Sequence, residues 1–196
     1  MPRQSTNYHV EHRIRALLFD LGDTLMWESS EVKDEDGTTI RADLIPGAAD
    51  LIWSLREDGY WLGMVADSKP RTPINVLEQH HLLDCFDTVM ISDLVGTAKP
   101  NAGIFRSALA ALEIEERDYS RVYMIGNNLE RDIVGANGVG LRSILMVPND
   151  CRRSTPADRL ETPDHTVRSI EELRDLIDRL DVREANKSTA ASDNPE

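Results

Sequence analysis

The chain has 196 residues, with 22 Lys and Arg against 35 Asp and Glu, for a formal net charge of −13. That length suits one domain with a core that needs no staples, and the acid excess disfavours nucleic acid and anionic membrane surfaces as partners. Cys85 and Cys151 are too few for a disulfide framework, no apolar run suits a membrane helix, and Met1 to Arg13 lacks the apolar stretch of a secretory signal, so the chain reads as cytoplasmic.

A polar extension, residues 1–12, comes first. Ile14 to Phe19 is a short apolar run ending at Asp20, the pattern of a buried strand. Glu28 to Asp43 is acidic and aperiodic, which predicts a loop or small hairpin insert over 28–43. Ala48, Leu51, Ile52 and Leu55 recur at helical spacing between Pro46 and Gly59. Trp61 to Ala66 repeats the strand pattern, and Ile74, Leu77 and His81 form the next helical stripe. Thr88 to Ile91 is a third strand. Pro100 then precedes a helix carrying Ile104, Phe105, Ala108, Leu109 and Leu112. Val122 to Ile125 is a fourth strand, followed by a helix with Leu129, Ile133 and Ala136 that Gly138 or Gly140 closes. Ser143 to Val147 is a fifth strand, and Ile170, Leu173, Leu176, Ile177 and Leu180 mark the last helix. The domain spans 13–181, and 182–196, rich in Ser, Ala, Asn and Asp, reads as a disordered tail. Strands alternating with helices predict an α/β fold, a doubly wound parallel sheet with helices on both faces. Such sheets bind ligands at the carboxyl ends of their strands.

Three places along the predicted sheet carry suggestive polar residues: Phe19-Asp20-Leu21-Gly22-Asp23-Thr24, Ala98-Lys99-Pro100, and Ile125-Gly126-Asn127 through Asp132. Each precedes or opens a helix, where free backbone N–H groups favour an anion. Taken singly, Asp20 fits a turn, Lys99 a solvated loop and Asp132 a first-turn acid on a helix dipole. Their order along one sheet is what carries meaning. His80 and His81 fit a helix C-terminus better than a metal site, since no other His or Cys stands at ligand spacing.

In that order the sequence resembles the haloacid dehalogenase-like hydrolases, mostly phosphatases, from about Arg13 to about Leu180. The motifs are Asp20 through Thr24, the strand end Gly63 to Ser68, Lys99-Pro100, and Gly126-Asn127 through Asp132. The resemblance implies a Rossmann-like fold and a Mg²⁺-dependent phosphatase in which Asp20 attacks phosphorus and forms an aspartyl-phosphate. It implies that Lys99 neutralises charge, that Ala66, Asp67, Ser68 and Lys99 hold the phosphate, and that Asp20, the Gly22 carbonyl, Asn127 and Asp132 hold the metal. The expected partner is a small or larger phosphorylated substrate, and no nucleic acid or membrane. The stretch between Leu25 and Pro46 is too short for a substantial cap domain. Capless members accept large substrates or borrow a lid from a second subunit, which leaves a homo-oligomer open.

Three positions depart from the family pattern. Gly22 stands where an acid/base Asp is usual, Ala66 where a hydroxyl is usual, and Asn127 where a carboxylate is usual. Asp23, one residue later, is expected to point elsewhere. Asp23 after a loop shift, Glu28 or a water are the candidate substitutes, and Ser68 is the candidate for the hydroxyl. The departures keep an alternative open, a catalytically degenerate protein of this fold with a binding or regulatory role. A dehalogenase fits less well, because Asn127 and Asn128 stand at the wrong offset before Asp132 and the chain lacks room for a helical cap.

Overall fold

The computed structural model describes residues 12–149 and 152–190, with side chains through Asp181. In chain order the elements are β1 (Ala16–Phe19), β2 (Val32–Lys33), β3 (Thr39–Arg41), α1 (Ala48–Glu57), β4 (Leu62–Ala66), α2 (Arg71–Gln79) and β5 (Thr88–Ile91). They continue with α3 (Ser92–Val95), α4 (Ala102–Ala111), β6 (Val122–Gly126), α5 (Val134–Val139), β7 (Arg142–Met146), β8 (His165–Val167) and α6 (Ile170–Ala190). Six strands form one parallel sheet in the order β5-β4-β1-β6-β7-β8.

The strands read as unbroken apolar runs because both faces of the sheet are covered. Alternate residues point to opposite sides. Leu17 and Phe19 of β1 face α1, α2 and α6, packing with Leu51, Ile52, Val76, Leu77, Leu173 and Ile177. Ala16 and Leu18 face the other way, onto Ile104, Phe105, Ala108 and Leu109 of α4. This doubly wound α/β architecture is the one the sequence pattern predicts. The sixth strand, β8, has only His165, Thr166 and Val167 and no apolar run to announce it.

Strands β2 and β3 pair antiparallel, so the 28–43 insert is a small hairpin. It is tied to α2. Thr39 N–H donates to Thr72 Oγ1 at 3.1 Å, Asn75 Nδ2 to the Thr39 carbonyl at 2.9 Å, and Gln79 exchanges two hydrogen bonds with the Ala42 backbone at 3.1 Å each. Helix α6 continues through 182–190, the stretch expected to begin an irregular tail. Arg183, Glu184 and Ala185 are good helix formers, and they extend a helix already anchored by Leu173 and Ile177. Residues 1–11, Asp150, Cys151 and 191–196 lie outside the described residues.

Asp181 fastens the start of β1 to α6. Its carboxylate accepts the N–H groups of Arg13 and Ile14 at 2.9 and 3.2 Å, the Tyr60 hydroxyl at 2.9 Å, and pairs with His12 Nδ1 at 2.7 Å. Burial alone would raise its pKa, but these bonds outweigh burial and hold it below its ordinary value. The resulting stability is complete above the ordinary carboxylate range, about pH 4, and is lost as pH falls through the lower folded-state value. Urea denaturation of Asp181→Ala at pH 7 should show a loss of about 2 kcal/mol. Asp181→Asn should flatten the acid side of the stability profile relative to the wild type.

Candidate active site

Asp20 is the first residue after β1, at the centre of the sheet. Its N–H donates to the Ile125 carbonyl at 2.9 Å, which fixes the backbone where the carboxylate leaves the strand. Oδ1 accepts from Lys99 Nζ at 2.6 Å, and Oδ2 receives the Thr24 hydroxyl at 3.4 Å.

Lys99 reaches this point from the loop before α4, and the peptide that follows it, Lys99–Pro100, is cis. Its side chain is almost wholly buried, and its ammonium also lies 2.7 Å from Asp132 Oδ1. One cation thus serves two carboxylates. Burial by itself would lower the Lys99 pKa, yet Asp132 and Asp20 together raise it, so the ammonium stays charged. Asp132 is pushed above its ordinary value, first by burial and then by Asp20, against the pull of Lys99. The trio keeps one negative charge in excess.

Asp132 sits in a π-helical turn, Leu129–Ile133, that leads into α5. Such turns recur at functional sites. Asn128 opens it by accepting the N–H groups of Glu130 and Arg131 at 3.0 and 3.1 Å, and donates its own N–H to Asp132 Oδ2 at 3.0 Å. Gly126 makes the room, since a β-carbon there would overlap the Asp132 carboxyl group.

Asp67 and Ser68 follow β4. Asp67 Oδ1 accepts the Lys99 N–H at 3.0 Å, so this carboxylate positions the lysine. Ser68 donates its N–H to Ser92 Oγ at 3.1 Å and its hydroxyl to the Lys69 carbonyl at 3.2 Å. Ala66 is buried at the end of the strand and, with Asp67 and Ser68, lines the same cavity as Asp20 and Lys99. The cavity measures about 100 Å³.

Gly22, Asn127 and Asp132 also line it. Asn127 is buried, and its Nδ2 has no hydrogen-bond partner. Turned over, this amide presents an oxygen at the same place. Asp23 faces away. It takes a left-handed backbone, φ 46°, and its Oδ1 accepts the Glu28 N–H at 3.0 Å. The position next to Gly22 is filled instead by Glu28, whose Oε1 lies 2.5 Å from where a Gly22 β-carbon would be. Burial, then Asp23 and Asp20, raise the Glu28 pKa, while Arg152 opposes the rise. Trp27 is partly buried and packs against the core cluster that holds Leu25 and Met26.

Sequence reading missed the two arginines in the cavity wall, Arg131 and Arg152. Arg131 follows the recognisable Gly126-Asn127 stretch, but Arg152 comes from a segment after β7 with no periodicity. Only the fold brings it across to Glu28, where Nη2 donates to both carboxylate oxygens at 2.9 Å.

The family model described as haloacid dehalogenase-like hydrolase matches residues 17–146. Ribulose-1,5-bisphosphate 5-phosphatase of Halopiger xanaduensis is 33% identical over 138 residues, covering 68% of this chain and 56% of that protein. Glyceraldehyde 3-phosphate phosphatase of Pyrococcus furiosus is 31% identical over 140 residues, covering 70% and 55%. The chain therefore spans little more than half the length of these curated relatives. Among solved structures, the magnesium-bound HAD-hydrolase YfnB of Bacillus subtilis aligns with a TM-score of 0.67 at 20% identity, covering 85% of this chain and 99% of that one. At that identity the likeness concerns the fold.

Removing the shared cation should be costly. Lys99→Met leaves two carboxylates facing one another with nothing between, and unfolding by urea should show a loss of about 3 kcal/mol. The double variant Lys99→Met/Asp132→Asn should recover part of it. Gly126→Ala should destabilise by about 1–3 kcal/mol through the Asp132 overlap. Gly138→Ala, which meets nothing within 4 Å, should be neutral or stabilise by up to about 1 kcal/mol.

Proposed function

The chain belongs to the haloacid dehalogenase-like hydrolase family, and from that premise we propose that it is a Mg²⁺-dependent phosphatase acting on a phosphorylated compound through Asp20. The observation that carries this reading is the Asp20–Lys99–Asp132 cluster, set at the carboxyl ends of β1 and β6 in a small open cavity. The curated relatives named as phosphatases of small sugar phosphates support the substrate class.

Asp20 is suited to be the nucleophile. Its carboxylate is held from both sides, by Lys99 and by Thr24, and it is the more exposed of the two carboxylates on the lysine. Attack on phosphorus forms an aspartyl-phosphate, which water then hydrolyses. Lys99 offsets charge on the nucleophile and on the phosphoryl oxygens, in a dry setting where such an interaction is strong. Asp67 holds Lys99 through its backbone, so it acts by positioning. Asp132 keeps the ammonium in register from the far side.

The donor set fits a hard dication. Among the described residues no three His, Cys, Asp or Glu side chains converge as metal ligands. Asp20 and Asp132 would hold Mg²⁺ together with the Gly22 carbonyl and the turned-over Asn127 amide, two carboxylates and two neutral oxygens, which suits an ion that keeps several waters. The bound ion supplies charge neutralisation for the approaching phosphate. The excess negative charge of the lysine trio favours taking up a cation.

Gly22 and Ala66 favour a second reading, in which the cavity binds a phosphorylated ligand without turning it over. A panel of phosphomonoesters assayed with Mg²⁺ separates the two. The expected result is turnover by the wild type and its near-complete loss in Asp20→Asn, with chelation of Mg²⁺ having the same effect. Equal rates for wild type and Asp20→Asn would reject the proposal, and ligand binding without turnover would establish the second reading.

A further inference from the structure

Residue 22 has no side chain, yet a carboxylate stands where one would have been. A β-carbon on Gly22 would lie 2.5 Å from Glu28 Oε1 and 2.9 Å from its Cγ. Glu28 therefore covers the α-carbon of Gly22 on the wall of the cavity that holds Asp20. Three features put it there. Asp23 Oδ1 receives its N–H, the chain turns tightly over Glu28–Ser30, and Arg152 grips both carboxylate oxygens at 2.9 Å.

The other carboxylates around the cavity are committed. Asp132 is buried on Lys99, Asp67 holds the Lys99 backbone, and Glu31 receives the Thr39 hydroxyl at 2.5 Å and pairs with Lys33 at 2.8 Å. Asp23 is buried below the turn. Glu28 is paired as well, with Arg152, but its side chain is 45% exposed and lines the same cavity as Asp20.

An alkyl phosphoester leaves as an alkoxide, which is too basic to depart unprotonated at neutral pH. We propose that Glu28 gives the proton to the leaving oxygen and later takes one from the attacking water. The proposal rests on the reading of Asp20 as nucleophile. In the first step an Asp20 oxygen bonds to phosphorus as the bond from phosphorus to the leaving oxygen breaks. The leaving oxygen keeps the electron pair and takes the proton of the Glu28 carboxyl. In the second step water bonds to phosphorus, gives its proton to the Glu28 carboxylate, and the bond between phosphorus and Asp20 breaks. Inorganic phosphate departs, and both carboxyl groups return to their starting states. Arg152 is a positioning residue for Glu28.

Leaving-group dependence tests this. Glycerol phosphate needs the proton, whereas acetyl phosphate releases acetate and does not. Glu28→Gln should lower the single-turnover rate of Asp20 phosphorylation by about 10²–10⁴-fold with glycerol phosphate and by less than about tenfold with acetyl phosphate, since the later hydrolysis is common to both. An equal loss of that phosphorylation rate on both substrates, or no loss, overturns the proposal. In Glu28→Ala the space over residue 22 is free, so Glu28→Ala/Gly22→Asp should regain at least about tenfold on glycerol phosphate over Glu28→Ala alone. No gain also overturns it. Asp20→Asn should remove activity on both substrates. Should it leave both rates intact, the nucleophile reading fails, whereas loss in Asp20→Asn with an indifferent Glu28→Gln removes only the role of Glu28.

Discussion

One ammonium shared by two carboxylates organises the cavity. Lys99 Nζ lies 2.6 Å from Asp20 and 2.7 Å from Asp132, and all three groups come from different parts of the chain. A buried and a half-buried carboxylate brought together without it would repel, each with part of its hydration lost. Much of the local architecture follows from seating this cation. Asp67 fixes its backbone, Gly126 clears space for Asp132, and the π-helical turn aims that carboxylate inward. The central position of β1 puts Asp20 next to the ends of both β4 and β6.

The sheet was legible because its strands are buried on both faces. Runs such as Leu17 to Phe19 and Met124 to Ile125 leave little choice but a covered parallel sheet. Strand β8 was not legible, because its three residues take their place from pairing with β7 rather than from their own pattern. The order of Asp20, Lys99 and Asp132 was visible in the sequence. Their convergence on one nitrogen was not, since it depends on a turn geometry that no spacing encodes. Asp67 illustrates the same limit. The resemblance implied that it helps hold the phosphate, and nothing in the sequence announced that its side chain also accepts the Lys99 N–H.

Glu28 shows a different limit. Read position by position, Gly22 is a lost carboxylate. In space the same region contains one, delivered from six residues on by the turn that Asp23 closes and held by Arg152 from the segment beyond β7. Loss at one position and supply from another cancel only after folding. A motif judged column by column would count this chain as lacking a group that its cavity contains.

The hairpin insert carries a further consequence. Its second strand is laced to α2 by side chains of Thr72, Asn75 and Gln79, so the ground beside the cavity is tied to the helix layer that covers the sheet. Whatever enters along that side has its outline set by α2 as much as by the strand ends, because Thr72 lines the cavity and also holds the hairpin.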